Sequence, residues 1–343
     1  MEYGAIDLHL RRSQIRIIDA EEHVVLDRRI ETTREALTQV FGGRRLRILL
    51  ESGTESEWVA QHLEGLGHEV VVADPNYAPM YGSRSRKVKT DRRDVAALAV
   101  ANRRGLYRAA HRATAAARAQ RQTLRIRRQL VRMRSGVISL LRAVLRQEGF
   151  RLGAGTAETV IARLDAVGMP STVATIVAPL RATLEQLTGQ LIAVSAAIEA
   201  AADATPVTRR LMTAPGVGPI VAATFVATLD DVGRFGGDAA RVSAYLGLVP
   251  TEFSSAERQR KGHITKTGPG DLRALLVQAS WTIWRSTRPE AAALRTWAQV
   301  LAARRGRRIA IVAVARRLSR ILYAMWRDGQ DFHAPRSVSE AAA

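Results

Sequence analysis

The sequence predicts an α/β domain at the N-terminus, a long helical segment with a coiled-coil pattern, and a mostly α-helical C-terminal domain. Strand-like and helical runs alternate over the first hundred residues, and residues 103–151 are helical in pattern and contain no proline. A heptad of apolar residues follows. We expect domains at 1–110 (or to 150, if its last basic helix is included), 111–205 and 206–333, and a disordered tail at 334–343.

Three short strands open the chain, and short connections between them favour antiparallel pairing. Helices and buried strands then alternate. The predicted strands are Tyr3–Leu10, Gln14–Asp19, His23–Ile30, Arg47–Leu50 and Val70–Ala73, with helices at Thr33–Phe41 and Glu55–Leu66. This order is the layout of a ribonuclease-H-like sheet.

Two carboxylates stand three residues apart in the stretch Lys89–Asp94. Thr90 is suited to cap the helix that follows, whose apolar face is Val95, Leu98 and Ala99. Asp91 and Asp94 would therefore share one helix face. Two like charges held together favour a cation between them, although acids in a first turn also complement the helix dipole.

Two further acids come from the sheet. Asp7 falls in the middle of the first predicted strand, and Glu51 falls just past the strand Arg47–Leu50. Either residue alone could simply border a strand. Together with the helical pair they could bind divalent ions that hold both oxygens of a phosphodiester. A set of acids without cysteine or histidine fits Mg²⁺.

The composition indicates a polyanionic partner. The formal charge is +20, so nucleic acid is the first candidate. The absence of cysteine excludes disulfides and thiolate chemistry, and 5% aromatic residues argue against base stacking as the main mode of binding. No apolar run reaches the length of a membrane span and no signal peptide is evident, so we expect a cytoplasmic protein.

Basic residues are concentrated in two segments. Residues 76–89 read as a basic loop before the acidic pair, either a clamp on a phosphate backbone or a solvated loop. Residues 103–151 contain fourteen arginines and a single acid, Glu148, which indicates backbone contact without base specificity. The candidate nucleic-acid-binding residues of these segments are Arg84, Arg86, Lys87, Lys89, Arg125, Arg128 and Arg132.

A second long helix ends near Ala202. Because proline is tolerated only in a first turn, Pro179 places its start nearby. Its heptad seam is Val177, Leu180, Leu184, Leu187, Leu191, Val194 and Ile198. The seam could pack on the chain's own basic helix or on a second copy, and we favour self-association because the seam is narrow.

Residues 207–228 predict two helices joined by a Pro-Gly-Val-Gly-Pro turn, which resembles the helix-hairpin-helix DNA-binding element. Gly216 and Gly218 would let the backbone approach a phosphate. The alternative is a simple helical turn. Further helices are expected from Asp271 to Asp331, and Ile309–Trp326 would close the core.

Residues 243–267 contain a polar loop with Ser254 and Ser255. A serine surrounded by cations could attack a phosphodiester, because the cations stabilise charge that builds up on phosphorus. The cations are Arg258, Arg260, Lys261 and Lys266. From composition alone the serines are better explained as turn formers, and nothing beside them forms a hydrolase triad.

Together these motifs resemble one family: insertion-sequence transposases with an N-terminal RuvC-like DEDD domain and a C-terminal serine-bearing transposase domain, described as bridge-RNA-guided recombinases. The resemblance covers nearly the whole chain. The motifs that carry it are GAIDLH, LLESG, KTDRRDVAALA, APGVGPIVAA and LGLVP…SS…GHITKTGPGDLRALL.

The resemblance implies a metal site and a nucleophile. Asp7, Glu51, Asp91 and Asp94 would be the DEDD carboxylates, with Mg²⁺ (or Mn²⁺) as the ion. Ser255 would be the nucleophile that joins to DNA. The family usually has glycines directly after that serine, whereas Ala256 and Glu257 follow here, which leaves Ser254 as an alternative.

The resemblance further implies an RNA-guided DNA recombinase whose partners are donor and target DNA, a structured guide RNA and other copies of itself, as a dimer or tetramer, acting at the nucleoid. One copy's acidic site would work with another copy's serine. Two alternatives are a metal-dependent endonuclease or junction resolvase that uses water, and a non-enzymatic nucleic-acid scaffold. A trapped protein–DNA adduct would distinguish the recombinase from the nuclease. Tolerance of substitutions at the acids would indicate the scaffold.

Overall fold

The structure is a computed structural model that describes residues 2–82, 90–255 and 258–333. The side chains of residues 253–261 are outside the description. The chain divides into two compact units, residues 1–112 and residues 113–343.

A five-stranded sheet forms the centre of the first unit, with strand order β3-β2-β1-β4-β5. The strands are β1 (Glu2–Asp7), β2 (Arg12–Ile18), β3 (Val24–Glu31), β4 (Leu46–Glu51) and β5 (Glu69–Ala73). β1, β2 and β3 pair antiparallel, whereas β4 runs parallel to β1 and β5 parallel to β4. The predicted strand layout is confirmed.

Helices cover both faces of this sheet. Helices α1 (Arg34–Phe41) and α2 (Ser56–Gly65) pack on one face over a core that includes Ile6 and Ile48. Helix α3 (Asp91–Arg104) covers the opposite face, where Ala5 and Leu49 are buried. Successive side chains of a strand point to opposite faces, so the face occupied by Ala5 and Leu49 is the face toward α3.

Helix α3 is fixed at both ends. Thr90 Oγ1 accepts a hydrogen bond from the backbone N–H of Arg93, which confirms the predicted N-cap. The fully buried Asn102 donates through Nδ2 to the carbonyl oxygens of Gly4 and Arg47, at 2.8 Å each. These bonds tie the helix to β1 and to β4.

The second unit begins with two long helices packed together, α4 (Ala115–Gln147) and α6 (Ser171–Ala204), with the short helix α5 (Val160–Asp165) between them in the chain. Leu141 and Leu145 of α4 share a core with Val177 and Leu184 of α6. Five of the seven seam residues are buried within this chain: Val177, Leu184, Leu187, Leu191 and Ile198. The favoured prediction that this seam mediates self-association was therefore wrong, because the chain's own helices cover the seam.

Helix α6 also begins earlier than predicted. Pro179 lies inside the helix, which starts at Ser171. The missing N–H leaves the carbonyl of Thr175 without its helical partner. Both residues are exposed, so water can serve that carbonyl, and burial of Val173 and Val177 holds the turn in place.

The remaining helices surround one core that includes Phe225 and Tyr323. They are α7 (Pro206–Met212), α8 (Pro219–Leu229), α9 (Ala239–Tyr245), α10 (Gly270–Arg285), α11 (Pro289–Arg305) and α12 (Arg307–Asp328). The mostly helical C-terminal region is confirmed. The stretch predicted as a polar loop is instead an antiparallel hairpin of β6 (Pro250–Ser255) and β7 (Arg258–Ile264). Composition misled here because backbone pairing stabilises these strands despite their polar side chains.

Across the described residues, no single helix is both long and apolar enough to cross a membrane. The pair α6 and α7, bent by 101°, reaches that length and composition only when the two are taken together.

Candidate metal centre and nucleic-acid surfaces

Asp7 and Glu51 end two adjacent parallel strands. Ile6 pairs with Leu50, and each acid follows as the last residue of its strand. Asp7 is therefore at the end of β1 and not in its middle as predicted. Both acids stand two residues after side chains that face α3, so both carboxylates lie on the α3 side of the sheet.

Asp91 and Asp94 lie in the first turn of α3. Asp94 is 6% exposed, whereas the side chain of Asp91 is 49% exposed. The N-terminus of α3 thus presents one buried and one accessible carboxylate, and the positive end of the helix dipole favours both.

The pKa of Asp7 reflects its neighbours. The pKa of this carboxyl is raised to about 6: burial raises it most, His9 lowers it, and the charges of Asp91, Glu51 and Asp94 raise it. An acid resists ionisation when other carboxylates lie near it in a partly buried site. The structure therefore brings Asp91, Glu51 and Asp94 within electrostatic reach of Asp7, and a cation beside Asp7 would relieve the repulsion.

His9 belongs to the same cluster and was missed by the sequence analysis. Its Nε2 lies 3.5 Å from Asp7 Oδ2 and 3.7 Å from Asp91 Oδ1. One ligand atom from each of these residues lies within 4.8 Å of the others. The available signal was the spacing of two between Asp7 and His9, which predicts a common face if the chain stays extended past the strand. The predicted ligand set contained only carboxylates, and His9 was not among its residues.

Neighbouring groups hold the acids in place. The hydroxyl of Tyr81 donates to Glu51 Oε1. Asp27 on β3 accepts from Arg16 and from Arg92 Nε, the latter at 3.1 Å, and so links the sheet to the first turn of α3. Burial acts to raise the pKa of Asp27, but the hydrogen bonds from Arg16 and Arg92 outweigh it and hold the pKa below its usual value.

The donor set is suited to a divalent ion. Carboxylate oxygens are the ligands that Mg²⁺ and Mn²⁺ accept, and an imidazole nitrogen suits transition-metal ions. Asp7, His9 and Asp91 offer three such atoms in a compact group. Glu51 and Asp94 add negative charge close to Asp7.

The predicted nucleic-acid-binding arginines of α4 differ in their surroundings. Arg125 and Arg132 are exposed, whereas Arg128 forms an ion pair with Asp271. Burial, followed by the positive charges of Arg132 and Arg125, lowers the pKa of Arg128. Positive charge on this stretch is thus crowded, which favours an anionic partner. Arg84, Arg86, Lys87 and Lys89 lie outside the described residues.

The Pro-Gly-Val-Gly-Pro turn lines a cleft of about 940 Å³. Arg285 and Arg288 line the same cleft. Gly216 has φ +76° and a Cβ there would stand 2.6 Å from the carbonyl oxygen of Ala279, so only glycine fits. Gly218 precedes α8 with no neighbouring atom within 4 Å of the position of a Cβ.

The two predicted serines lie on β6, where Ser255 pairs with Arg258 and Ser254 with Gln259. Their side chains, and those of Arg258, Arg260 and Lys261, are outside the description. Lys266 is exposed after β7, in a left-handed conformation with φ 56°.

Two protein-family models match the chain. Residues 5–149 match a transposase model, the DEDD transposase domain of IS110, and residues 208–295 match the transposase IS116/IS110/IS902 family. The chain belongs to the IS110/IS116 family of transposases. The matched range 5–149 includes the positions of all four predicted acids. A DEDD domain indicates dependence on a divalent metal. Like other transposases, this one binds DNA.

Proteins similar to this chain are also named transposases. This transposase is 28% identical over 330 residues to a probable family 20 transposase of Pseudomonas aeruginosa, covering 93% of this chain and 95% of that protein. It is 25% identical over 313 residues to the transposase for insertion sequence element IS1111A of Coxiella burnetii, covering 90% and 85% respectively. The transposase for IS1328 of Yersinia enterocolitica is 27% identical over 291 residues, covering 83% and 85%.

Proposed function

We propose that this transposase is an RNA-guided DNA recombinase that cuts and rejoins strands through a phosphoserine intermediate on Ser255. The observation that carries the proposal is the placement of the acids: Asp7 and Glu51 end adjacent parallel strands on the face covered by α3, whose first turn holds Asp91 and Asp94. We expect it to act at the bacterial nucleoid, in the cytoplasm, where its DNA substrates lie.

The acids Asp7, Glu51, Asp91 and Asp94 are the proposed ligands of the ion, with Mg²⁺ or Mn²⁺ as candidates. A bound divalent ion supplies positive charge against the phosphate oxygens during strand exchange. The protein's part is to hold the carboxylates in place, through the α3 cap at Thr90 and the buried amide of Asn102.

Strand cleavage forms one bond and breaks one. The Ser255 hydroxyl oxygen bonds to phosphorus while the bond between phosphorus and a deoxyribose oxygen breaks; the serine proton passes to solvent and the departing sugar oxygen takes up a proton. Rejoining reverses this, because the hydroxyl of a new strand attacks the phosphoserine. The phosphodiester energy is kept in the ester, so no external energy source is needed. Ser254 is the alternative nucleophile.

Two surfaces of the second unit are proposed to hold nucleic acid. The cleft at Gly216 and Gly218, with Arg285 and Arg288 on its lining, supports a helix-hairpin-helix contact with a DNA backbone. The exposed Arg125 and Arg132 of α4 support contact with guide RNA through its phosphates.

The proposed working unit is a homo-oligomer, held by a different face than the buried seam. Ile126, Met133 and Leu140 recur every seven residues on α4 and are 55%, 49% and 52% exposed. Large apolar side chains repeated in this way favour burial against a second helix. The antiparallel pair α4 and α6 is the proposed intrachain coiled coil.

The test is a plasmid recombination assay with purified protein, guide RNA and divalent metal. Ser255→Ala is expected to abolish recombination and the protein–DNA adduct on a denaturing gel. Asp94→Asn is expected to abolish both as well, because the ion is lost. Ser171→Ala, at the exposed start of α6 and outside the cleft at Gly216, is the matched control and is expected to behave as the wild type.

The outcomes separate the alternatives. Recombination at the normal rate and a retained adduct in Ser255→Ala, with both lost in Ser254→Ala, would reject the covalent role of Ser255 and assign it to Ser254. Metal-dependent cleavage without any adduct would identify a nuclease that uses water. Nucleic-acid binding without any cleavage by the wild type, unchanged in Asp94→Asn, would leave only the scaffold function.

A further inference from the structure

His9 stands among the acids of the metal centre without a short hydrogen bond to either of its neighbours there. Its Nε2 faces Asp7 Oδ2 at 3.5 Å and Asp91 Oδ1 at 3.7 Å. A direct charge-assisted N–H···O bond would be about 2.7–2.9 Å long. The imidazole therefore faces two carboxylates at distances too long for direct pairing with either.

These distances suit ligands that share one ion. Atoms that each lie about 2.1 Å from an ion are at most about 4.2 Å apart. Both distances from Nε2 fall below that limit, and all three ligand atoms lie within 4.8 Å of one another. An ion between them would need small rotations of these side chains, and those of His9 and Asp91 are about half exposed.

The backbone of His9 is held from both sides. Its N–H donates to Ser13 Oγ at 3.2 Å, and its carbonyl oxygen accepts from Thr32 Oγ1 at 2.8 Å. The two hydroxyls also contact each other at 2.8 Å, and Ser13 is buried. The turn after β1 thus fixes the backbone position of His9. A metal-ligating side chain requires such support from its surroundings.

We propose that His9 is a nitrogen ligand of the divalent ion and that it makes this centre select Mn²⁺ over Mg²⁺. The inference rests on the proposed function only in assuming that the acids hold an ion. Mg²⁺ is held almost entirely by oxygen, whereas imidazole is a good ligand for transition-metal ions. A mixed set of carboxylates and one imidazole therefore shifts the preference toward Mn²⁺.

The competing explanation is that His9 is only a positive counter-charge between two acids. Arg29 already approaches Asp91 Oδ2 at 3.8 Å, so Asp91 has a cation on its other oxygen. A counter-charge would compete with any divalent ion, so its removal would tighten binding of Mn²⁺ and Mg²⁺ alike. A ligand has the opposite effect, and mainly on Mn²⁺.

The test measures binding rather than turnover. Mn²⁺ and Mg²⁺ affinities are measured by calorimetry for the full chain and for His9→Ala, and pulsed electron paramagnetic resonance of bound Mn²⁺ detects coupling to a nitrogen. We expect His9→Ala to weaken Mn²⁺ binding about ten-fold or more, to change Mg²⁺ binding less, and to abolish the nitrogen coupling. His23→Ala is the matched control, since His23 is exposed and contacts Asp19.

Asp7→Asn distinguishes a failure of the proposed metal centre from a failure of the proposed role of His9. If Asp7→Asn binds Mn²⁺ like the wild type, the proposed metal centre itself is rejected. If Asp7→Asn loses Mn²⁺ binding, the metal centre stands. The role of His9 is then rejected by either of two results: the wild type shows no nitrogen coupling, or His9→Ala binds both ions as well as or better than the wild type. Thermal unfolding of each variant verifies that it is folded.

Discussion

The side-chain amide of Asn102 donates a 2.8 Å hydrogen bond to the carbonyl oxygen of Gly4, three residues before Asp7. The same Nδ2 donates to the carbonyl oxygen of Arg47, four residues before Glu51. One buried side chain near the end of α3 thus connects the helix that carries two of the acids to both strands that carry the others. A Cβ on Gly4 would lie 3.2 Å from the side chain of Ile48, on the face of the sheet that α1 and α2 cover.

Replacement of Asn102 by alanine is expected to lower the free energy of unfolding by about 2–4 kcal/mol, because two buried hydrogen bonds are lost and a small cavity forms. Urea unfolding measures this. The control Gln61→Ala, on the exposed face of α2, should change stability by less than about 0.5 kcal/mol. Equal effects of the two substitutions would show that Asn102 does not hold α3 on the sheet.

The raised pKa of Asp7 predicts a stability that depends on pH. The folded-state pKa of about 6 exceeds the ordinary value of 3.8, so the folded state binds the proton more tightly. Stability in the absence of metal therefore falls as pH rises from about 4 to about 6, and the full cost remains above that range.

Asp7→Asn removes this cost. In EDTA at pH 7.5 we expect it to raise stability by about 1–3 kcal/mol, and at pH 4 to change it little. Thermal melts at the two pH values test the prediction. Asp19→Asn is the control, because Asp19 is an exposed acid whose pKa is lowered by hydrogen bonds. A stabilisation of Asp7→Asn that is equal at both pH values would contradict it.

The two glycines of the hairpin turn are expected to differ. Gly216→Ala should destabilise the second unit by more than about 2 kcal/mol, because its Cβ would clash with the Ala279 carbonyl at a positive φ. Gly218→Ala should leave the unfolding temperature unchanged, since nothing lies within 4 Å. If the turn contacts a DNA backbone, Gly218→Ala should nevertheless weaken DNA binding in a fluorescence assay. An unchanged affinity would indicate a simple helical turn.

The exposed arginines of α4 are expected to contribute to the salt dependence of nucleic-acid binding. Each phosphate contact removed lowers the slope of log K against log salt by about 0.7–0.9. Arg125→Gln combined with Arg132→Gln should therefore lower the slope by about 1.4–1.8. Arg181→Gln is the control, because Arg181 of α6 already pairs with Asp165 of α5 and with Glu185. Equal slopes for all variants would exclude α4 as a phosphate contact.

The exposed apolar residues Ile126, Met133 and Leu140 of α4 are predicted to form the contact between copies. Ile126→Ser with Leu140→Ser should lower the mass measured by light scattering and leave the unfolding temperature of the chain unchanged, since both side chains are exposed. Leu141→Ser is the contrasting variant and should destabilise the fold, because Leu141 is fully buried against α6. An unchanged mass would place the contact between copies elsewhere.

Much of the first unit could be predicted from local pattern. The strand and helix order, the Thr90 cap and the apolar face of α3 follow from period and capping chemistry, which act over a few residues. Local errors were the position of Asp7, which ends β1, and the hairpin of β6 and β7, whose polar composition resembles a loop. The failure at the α6 seam concerns long-range competition. The α6 seam could be satisfied by another copy or by α4, and the sequence does not rank the two. Pro179 was tolerated because packing offset one lost hydrogen bond.

The sequence by itself determined which side chains are available: four acids, no cysteine, a long basic helix and two glycines in a tight turn. Only the tertiary structure decided which of them meet. Parallel pairing of β1 with β4 aligns Asp7 with Glu51, the packing of α3 on the same face adds Asp91 and Asp94, and the turn after β1 adds His9. The physical reason is that strand alternation and helix period act locally, whereas proximity between residues dozens of positions apart depends on how the buried faces pack.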